Sequence, residues 1–345
     1  MDPSCLHALR EAHSDSDEST HAGEYTQDVE SAMKPDSPSS RTHRGGQGHR
    51  GRCRTRSDVR EVLRFMEGAE VQEEEEDEAA SPTSPSEAPS IAPRTDVDPR
   101  LLPVGLVASL ILSATCWLCI QCPLMSAQGM GPVYLLRCGV VALFLLAFGL
   151  MAFTGAVDPG MVPEELPDRP MERSYKSSQF PRRIRRYDHY CRWLLNGIGL
   201  HNHREFFMLL MIFTVMVAGG SIVDAWLLAA FWSLEHSATE SLLAAHLVYL
   251  AIFGYNLIPI VRLHVTFVSR NELANEWKED ENYVVDDLET GTSVWVGDLD
   301  TDEFNEKFDS FRYDPTRNRW DKGCPTNCFL FWFVPRWDKD QTGEF

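Results

Sequence analysis

The distribution of apolar and polar positions divides the chain near residue 100. Apolar residues are sparse before this point, whereas four long apolar runs follow it, separated by polar segments. Each run approaches the length of about 20 apolar residues that a helix needs to cross a bilayer. One such run could be a buried core helix, but four together predict an all-α integral membrane protein with four transmembrane helices. The runs lie at 101–122, 138–157, 206 to about 232, and 242–261.

The first segment, residues 1–98, has a different composition. It is rich in Ser, Pro, Gly, Arg and acidic residues, and it contains the run VQEEEEDEAA. Such a segment cannot bury enough apolar surface to offset its chain entropy, so it is predicted to be a disordered cytosolic tail. Its first 30 residues have no apolar core of the kind that a signal peptide needs. The formal net charge of −19 argues against a nucleic-acid partner.

The positions of Lys and Arg predict the orientation in the membrane. Nine of them lie between the second and third apolar runs, the connection between the first and second runs has only Arg137, and the loop SLEHSATES between the last two runs has none. Basic loops stay on the cytosolic side. The segment between helices 2 and 3, and with it both termini, is therefore predicted to face the cytosol from an endomembrane (ER or Golgi) or the plasma membrane.

These patterns predict five successive regions. The last of them includes CPTNCFLFWFVPRW, which is too short to span a bilayer and is predicted to lie in the membrane interface. The regions are the tail at 1–98, helices 1 and 2 at 101–157, a cytosolic catalytic domain at 158–205, helices 3 and 4 at 206–268, and a cytosolic C-terminal region at 269–345.

Candidate chemistry is concentrated in YDHYCRW, inside the predicted cytosolic loop. A cysteine is nucleophilic as its thiolate, a nearby histidine can take the thiol proton, and a carboxylate can orient that histidine. Cys191, His189 and Asp188 supply these three groups. The string alone is a weak signal, because three polar residues can share a loop by chance. A thiolate at a membrane face would nevertheless suit an amphiphile such as a long-chain acyl thioester.

The surrounding motifs resemble those of the DHHC-type protein S-acyltransferases, four-helix membrane enzymes that attach palmitate to cytosolic cysteines. Five short segments carry the resemblance, in order and in register with the helices, over about residues 101–335. They are DPG at 158–160, Arg173 and Ser174 of a K-P-x-R-S segment (with Arg169 and Pro170 near its Lys-Pro), DHYC followed by Trp193, Asn196, Gly199, Asn202 and Phe206, SRNE at 269–272, and NRWDKGCPTN at 318–327.

The resemblance implies a ping-pong palmitoyltransferase. His189, oriented by Asp188, would deprotonate Cys191, which would accept the acyl group of palmitoyl-CoA and pass it to cysteines of proteins at the cytosolic membrane face. The expected partners are therefore fatty acyl-CoA, cysteine-bearing proteins and membrane lipid. A run of four arginines is a candidate for binding the CoA phosphates. A basic patch that sets the orientation in the membrane or contacts lipid headgroups explains the run equally well. This run consists of Arg182, Arg183, Arg185 and Arg186.

The sequence departs from the family at every expected zinc ligand. The family holds two structural zinc ions with six cysteines and two histidines, so no metal is expected at the substituted positions here. These positions are Pro163, Leu166, Lys176, Ser177, Phe180, Arg183, Tyr190 and Gly197. Because structural zinc contributes on the order of 10 kcal/mol to a small domain, its loss must be offset or the domain must fail.

Two interpretations follow from this loss. In the first, the enzyme is active and the loop is held by an apolar cluster of Phe180, Ile184, Tyr187 and Tyr190, with arginine–acid pairs. In the second, the chain is a catalytically inactive pseudoenzyme or membrane scaffold. A further departure from the family is Arg270 in SRNE. The resemblance implies that this motif lies against Asp188, so an ion pair between Arg270 and Asp188 is expected. An unrelated transporter or adaptor is the remaining alternative, but the helices carry few charges that could mark a transport path.

Overall fold

Four long helices form the main part of the molecule in the computed structural model. It describes residues 98, 100–164, 171–231, 237–286 and 291–345, so the predicted tail up to residue 97 lies outside the described residues, as do Leu166, Arg169 and Pro170. All four helices are long and apolar enough to cross a membrane, which confirms the prediction. They are α1 (Leu101–Ala127), α2 (Val133–Ala156), α3 (His203–Phe231) and α4 (Ala238–Arg270).

The apolar runs form helices whose inner faces pack together and whose outer faces stay exposed. The core contains Leu110, Phe144, Phe213 and Leu257, each from a different helix. Many large apolar side chains on the opposite faces are exposed, as expected for helices that contact lipid rather than water. Examples are Leu112, Leu145, Ile222 and Ile252.

The helix α4 extends beyond the apolar run at 242–261 in both directions and ends at Arg270, near the boundary of 268 expected for helices 3 and 4. Ser237 and Glu240 begin it with a capping box, in which each side chain accepts a hydrogen bond from the backbone N–H of the other residue. The helix does not end at its charged residue Arg262, because Phe267, a turn further on, is buried against the C-terminal region. Its 33 residues correspond to about 50 Å at 1.5 Å per residue.

A polar cluster lies inside the helix bundle. Asp224 of α3 is fully buried and contacts His246 Nδ1 at 2.6 Å and Gln121 Nε2 at 2.5 Å. His246 Nε2 in turn lies 2.9 Å from the hydroxyl of Ser113. Gln121 belongs to a π-helical turn, Trp117–Gln121, within α1.

The segments outside the helix bundle contain short antiparallel strands. The sequence analysis did not predict these strands. The loop domain, defined here as residues 157–202, contains two two-stranded hairpins. The C-terminal region contains a three-stranded sheet in the order β6-β5-β7. The strands are β1 (Ser174–Tyr175), β2 (Ile184–Arg185), β3 (His189–Cys191), β4 (Asn196–Ile198), β5 (Tyr283–Asp286), β6 (Ser293–Trp295) and β7 (Arg312–Tyr313).

Three further helices complete the C-terminal region. They are α5 (Ala274–Lys278), α6 (Thr301–Lys307) and α7 (Cys324–Phe333). The last of these lies within the predicted interfacial segment. Its Asn327 and Phe331 are buried, while Phe329 and Phe333 are exposed, so it presents one packed face and one apolar outer face.

Candidate active site

The hairpin β3–β4 places the candidate nucleophile and base on one face. His189 pairs with Ile198 and Cys191 pairs with Asn196. Because side chains alternate along a strand, residues two apart point to the same side. The amide of Asn196 anchors the hairpin by donating to the carbonyls of Thr154 and Val157 at the end of α2. The site is thereby fixed against the end of a membrane helix.

The three predicted catalytic residues lie together and are buried. His189 Nδ1 lies 2.7 Å from Asp188 Oδ2, and the other carboxylate oxygen accepts a hydrogen bond from the Ala274 N–H at 2.9 Å. No more than 2 % of the surface of Asp188, His189 or Cys191 is exposed. His189 Nε2 forms no hydrogen bond within the described structure, and the Cys191 thiol is the neighbouring group that interacts with this ring.

The electrostatics of the pair favour an imidazolium beside a carboxylate. Burial by itself would raise the pKa of Asp188, but His203, the hydrogen bond from His189, and His264 together hold it well below its usual range. Burial opposes the charge on His189, yet its contacts with Asp188 and Cys191 raise its pKa to about 10. At neutral pH the ring is therefore cationic and can stabilise a thiolate on Cys191.

Two histidines in the site were not predicted from the sequence. His203 Nε2 lies 3.8 Å from Asp188 Oδ1, and His264 Nδ1 lies 3.9 Å from Asp188 Oδ2. Both rings are buried, and all four of their nitrogens have no hydrogen-bond partner within the described structure. His264 is distant in sequence and reaches the site only because α4 continues past residue 261.

The proposed ion pair between Arg270 and Asp188 is not formed. The Arg270 guanidinium lies over the Tyr313 ring, 4.2 Å from its centroid. The chain leaves α4 through Asn271, which adopts a left-handed conformation with φ 50°. After this turn, the backbone N–H of Ala274 reaches Asp188 instead. The residues that follow SRNE therefore border the candidate catalytic aspartate, through the backbone N–H of Ala274.

The acidic residue of SRNE is an unusual buried carboxyl group. Glu272 is 1 % exposed, its Oε2 accepts a hydrogen bond from the Tyr283 hydroxyl, and its Oε1 has no partner in the described structure. Burial outweighs the charge of Arg270 and raises the pKa of Glu272 to about 7. The folded chain therefore holds this proton more tightly than the unfolded chain does.

This carboxyl group predicts a pH-dependent stability. The pKa of Glu272 rises from 4.5 to about 7 on folding, so the free energy of unfolding should fall by about 3 kcal/mol as the pH rises through this interval. The Glu272→Gln variant keeps a neutral group at the site and should lack this dependence. Thermal unfolding in detergent between pH 5 and 8 measures it. Parallel pH dependence in the two proteins would contradict the assignment.

The four candidate phosphate-binding arginines lie in different environments. Arg185 and Arg186 are buried, and their guanidinium groups donate to protein acceptors that include the carbonyls of Gly160, Gln341 and Phe345. These two are therefore occupied in holding the loop domain to the C-terminal segment. The other two are more accessible, although each donates one hydrogen bond to a backbone carbonyl. They are Arg182, bonded to Val162, and Arg183, bonded to Ser174.

The described residues at the family's zinc positions do not fit zinc. The Phe180 and Tyr190 rings pack edge to face at a centroid separation of 6.3 Å. A side chain at Gly197 would begin only 3.1 Å from both Phe180 and Ile184, so the space is filled by hydrocarbon. Lys176 donates to the Phe180 carbonyl. Nearby, Tyr187 stacks on a neighbouring tyrosine at 5.1 Å. Apolar packing and hydrogen bonds thus occupy these positions.

The sequence matches a family model and several curated proteins. The model described as DHHC palmitoyltransferase matches residues 168–281. Palmitoyltransferase ZDHHC8 of Mus musculus is 27 % identical over 227 residues, or 54 % of this chain and 28 % of the relative. Palmitoyltransferase ZDHHC8B of Danio rerio is 26 % identical over 216 residues, or 51 % and 28 %. Palmitoyltransferase ZDHHC5-B of the same species is 26 % identical over 215 residues, or 51 % and 32 %. The chain thus spans less than a third of the length of these relatives.

Proposed function

Since the chain belongs to the DHHC palmitoyltransferase family, we propose that it is itself a protein S-acyltransferase. It transfers a long-chain acyl group from acyl-CoA, through a thioester on Cys191, to cysteines of other proteins. The observation that carries the proposal is the buried hydrogen bond of 2.7 Å between Asp188 and His189, with Cys191 beside the ring. A scaffold would have no need of this arrangement.

In the first half-reaction, the Cys191 proton resides on His189, which Asp188 holds as an imidazolium. The thiolate attacks the acyl carbonyl of the acyl-CoA thioester. The carbon–sulfur bond to CoA breaks, and the departing CoA thiolate takes up the proton from His189, which leaves the ring neutral. The product is an acyl group joined to Cys191 Sγ.

In the second half-reaction, an acceptor cysteine donates its thiol proton to His189 and attacks the same carbonyl. The bond to Cys191 breaks, and the Cys191 thiolate is restored beside the imidazolium. Each step transfers one acyl group and one proton, so no oxidant or further cofactor is required. Acyl-CoA and the acceptor protein react one after the other at the same enzyme cysteine, Cys191. The kinetics would therefore be ping-pong.

The placement in a membrane follows from the same proposal. The hairpin that carries Cys191 is anchored to the end of α2, and Cys191 itself belongs to the apolar cluster formed by the four helices. A fatty acyl chain could therefore extend between the helices while CoA stays outside. Arg182 and Arg183 remain the candidates for its phosphates. With this domain cytosolic, both termini would face the cytosol as well.

Incubation of the purified, detergent-solubilised chain with a labelled palmitoyl-CoA analogue tests the proposal. The wild-type protein should acquire hydroxylamine-sensitive label, and the Cys191→Ser variant should acquire none. The double variant Cys324→Ser/Cys328→Ser serves as a control for passive acceptors in α7 and should be labelled like the wild type.

Two outcomes would contradict the enzyme proposal. Folded wild-type protein without label, under conditions that label a relative, would favour the pseudoenzyme or scaffold. Equal labelling of the wild type and Cys191→Ser would show that other thiols accept the acyl group without help from the site. Comparison of thermal unfolding between variant and wild type establishes that both are folded.

A further inference from the structure

We propose that the carboxylate of Asp188 and the three surrounding histidines form a binding site for a divalent transition-metal ion of the zinc class. The histidines are His189, His203 and His264. Ligand atoms of Asp188, His189 and His264 all lie within 4.8 Å of one another. His203 adds a fourth candidate, with its Nε2 3.8 Å from Asp188 Oδ1. This site is distinct from the two zinc positions that the family resemblance implies.

The distances suit a tetrahedral metal with only small adjustment. Two ligands at about 2.0–2.1 Å from a tetrahedral zinc lie about 3.3 Å apart. The contacts of His203 and His264 with Asp188, at 3.8 and 3.9 Å, exceed this separation by about half an ångström. The contact between His189 and Asp188, at 2.7 Å, is shorter and would lengthen when a metal replaces the shared proton.

Unsatisfied ring nitrogens are the second observation that points to a ligand. Both ring nitrogens of His203 and both of His264 are buried without a hydrogen-bond partner in the described structure. Buried polar groups normally have partners, and each one left unsatisfied costs about 1–3 kcal/mol. A metal ion coordinated by one nitrogen of each ring would recover part of this cost.

The chemistry of the four ligand side chains indicates which class of metal ion the site would bind. Three imidazoles and one carboxylate favour Zn²⁺, Co²⁺ or Ni²⁺. Mg²⁺ and Ca²⁺ prefer a shell of oxygen atoms, which this cluster does not offer. Cys191 is not required as a ligand in this proposal, because His203, 3.8 Å from Asp188 Oδ1, supplies the fourth donor.

Metal binding would inhibit the reaction, a consequence that rests on the proposed acyltransferase function. A metal on His189 or Asp188 removes the base and its orienting carboxylate from proton transfer. Acylation of Cys191 would then stop while the acyl-CoA site remains free. Zinc would therefore act as a reversible inhibitor. It would compete with protons for His189 and Asp188, and it would not compete with acyl-CoA for the acyl-CoA site.

Equilibrium dialysis of the metal-free, purified full chain against Zn²⁺, followed by elemental analysis, tests the site. The wild type and Cys191→Ser should each bind zinc, whereas His264→Gln and His203→Gln should each lose affinity by at least about tenfold, since even indirect metal partners contribute this much. His201→Gln is the matched control, because His201 lies outside the cluster and stacks on Trp337 at 4.5 Å.

Thermal unfolding with and without Zn²⁺ keeps the test independent of activity. Zinc should raise the melting temperature of the wild type, Cys191→Ser and His201→Gln, but not that of either cluster variant. Unchanged zinc affinity in a folded His264→Gln or His203→Gln protein would overturn the proposal, as would a wild type that binds no zinc. Zinc binding by a protein that fails to acylate would support the metal site and contradict only the enzyme proposal.

Discussion

The Asp188→Asn variant is expected to acylate Cys191 about 10⁴-fold more slowly than the wild type, by analogy with loss of the orienting carboxylate in a catalytic triad. An amide at this position would donate its N–H to His189 Nδ1, which now lies 2.7 Å from a carboxylate oxygen. The neutral ring would then carry its proton on Nε2, the atom that must accept the thiol proton. The rate of label incorporation from a palmitoyl-CoA analogue measures this loss.

The pH profile distinguishes this effect from a general loss of structure. With the pKa of His189 raised to about 10, loss of the imidazolium should lower the wild-type rate only as the pH approaches 10. Without the carboxylate, the imidazolium is no longer stabilised, and the thiolate must form by ionisation of the free thiol. The residual rate of the variant should therefore rise with pH. A flat profile with a normal rate in Asp188→Asn would remove Asp188 from the mechanism.

The second large effect is expected on the free energy of unfolding when Arg173 is replaced. Arg173 has a side chain that is 1 % exposed and donates two hydrogen bonds to the Glu276 carboxylate, at 2.6 and 2.7 Å. It also donates to Asn271, and so joins the loop domain to the end of α4. Arg173→Met leaves this carboxylate without its partner and should reduce the free energy of unfolding by about 3–5 kcal/mol. Thermal or denaturant unfolding in detergent measures the loss.

Two further variants isolate the cause. Adding Glu276→Gln to Arg173→Met removes the uncompensated charge and should recover part of the lost stability. Arg312→Met breaks an exposed pair with Asp286, in which both side chains are more than half exposed, and should change stability little. A double variant less stable than Arg173→Met, or an Arg312→Met effect as large as that of Arg173→Met, would contradict the buried-pair explanation.

The parts of the fold predicted from sequence are those with a strong local signal. Four apolar runs determine four membrane-length helices, and the order of the motifs places Asp188, His189 and Cys191 in one loop. The apolar run of α4 stops at 261, before Arg262, although the helix itself continues to Arg270. The burial that continues the helix depends on residues such as Phe267 that contact the distant C-terminal region.

The missing parts of the site depend on tertiary contacts. His264 comes near Asp188 only through the packing of α4 against the loop domain, and no spacing in the sequence indicates this. The same holds for Ala274, whose backbone N–H replaces the predicted partner Arg270. The sequence suggested that Arg185 and Arg186 are available to bind phosphate. A pattern of charges alone cannot show that their guanidinium groups already donate hydrogen bonds to backbone carbonyls.

The packing of Phe180, Ile184, Tyr190 and Gly197 has a consequence for oxidative chemistry. Cys191 is the only cysteine between Cys138 and Cys324, and within the loop domain no other thiol exists to be lost to peroxide. An oxidant that reaches Cys191 converts the nucleophile to a sulfenic acid, which thiols can reduce. The side chains that hold the domain together are untouched by this reaction. Oxidation of Cys191 to this stage would thus leave the packing of these four residues intact, and reduction by a thiol would reverse it.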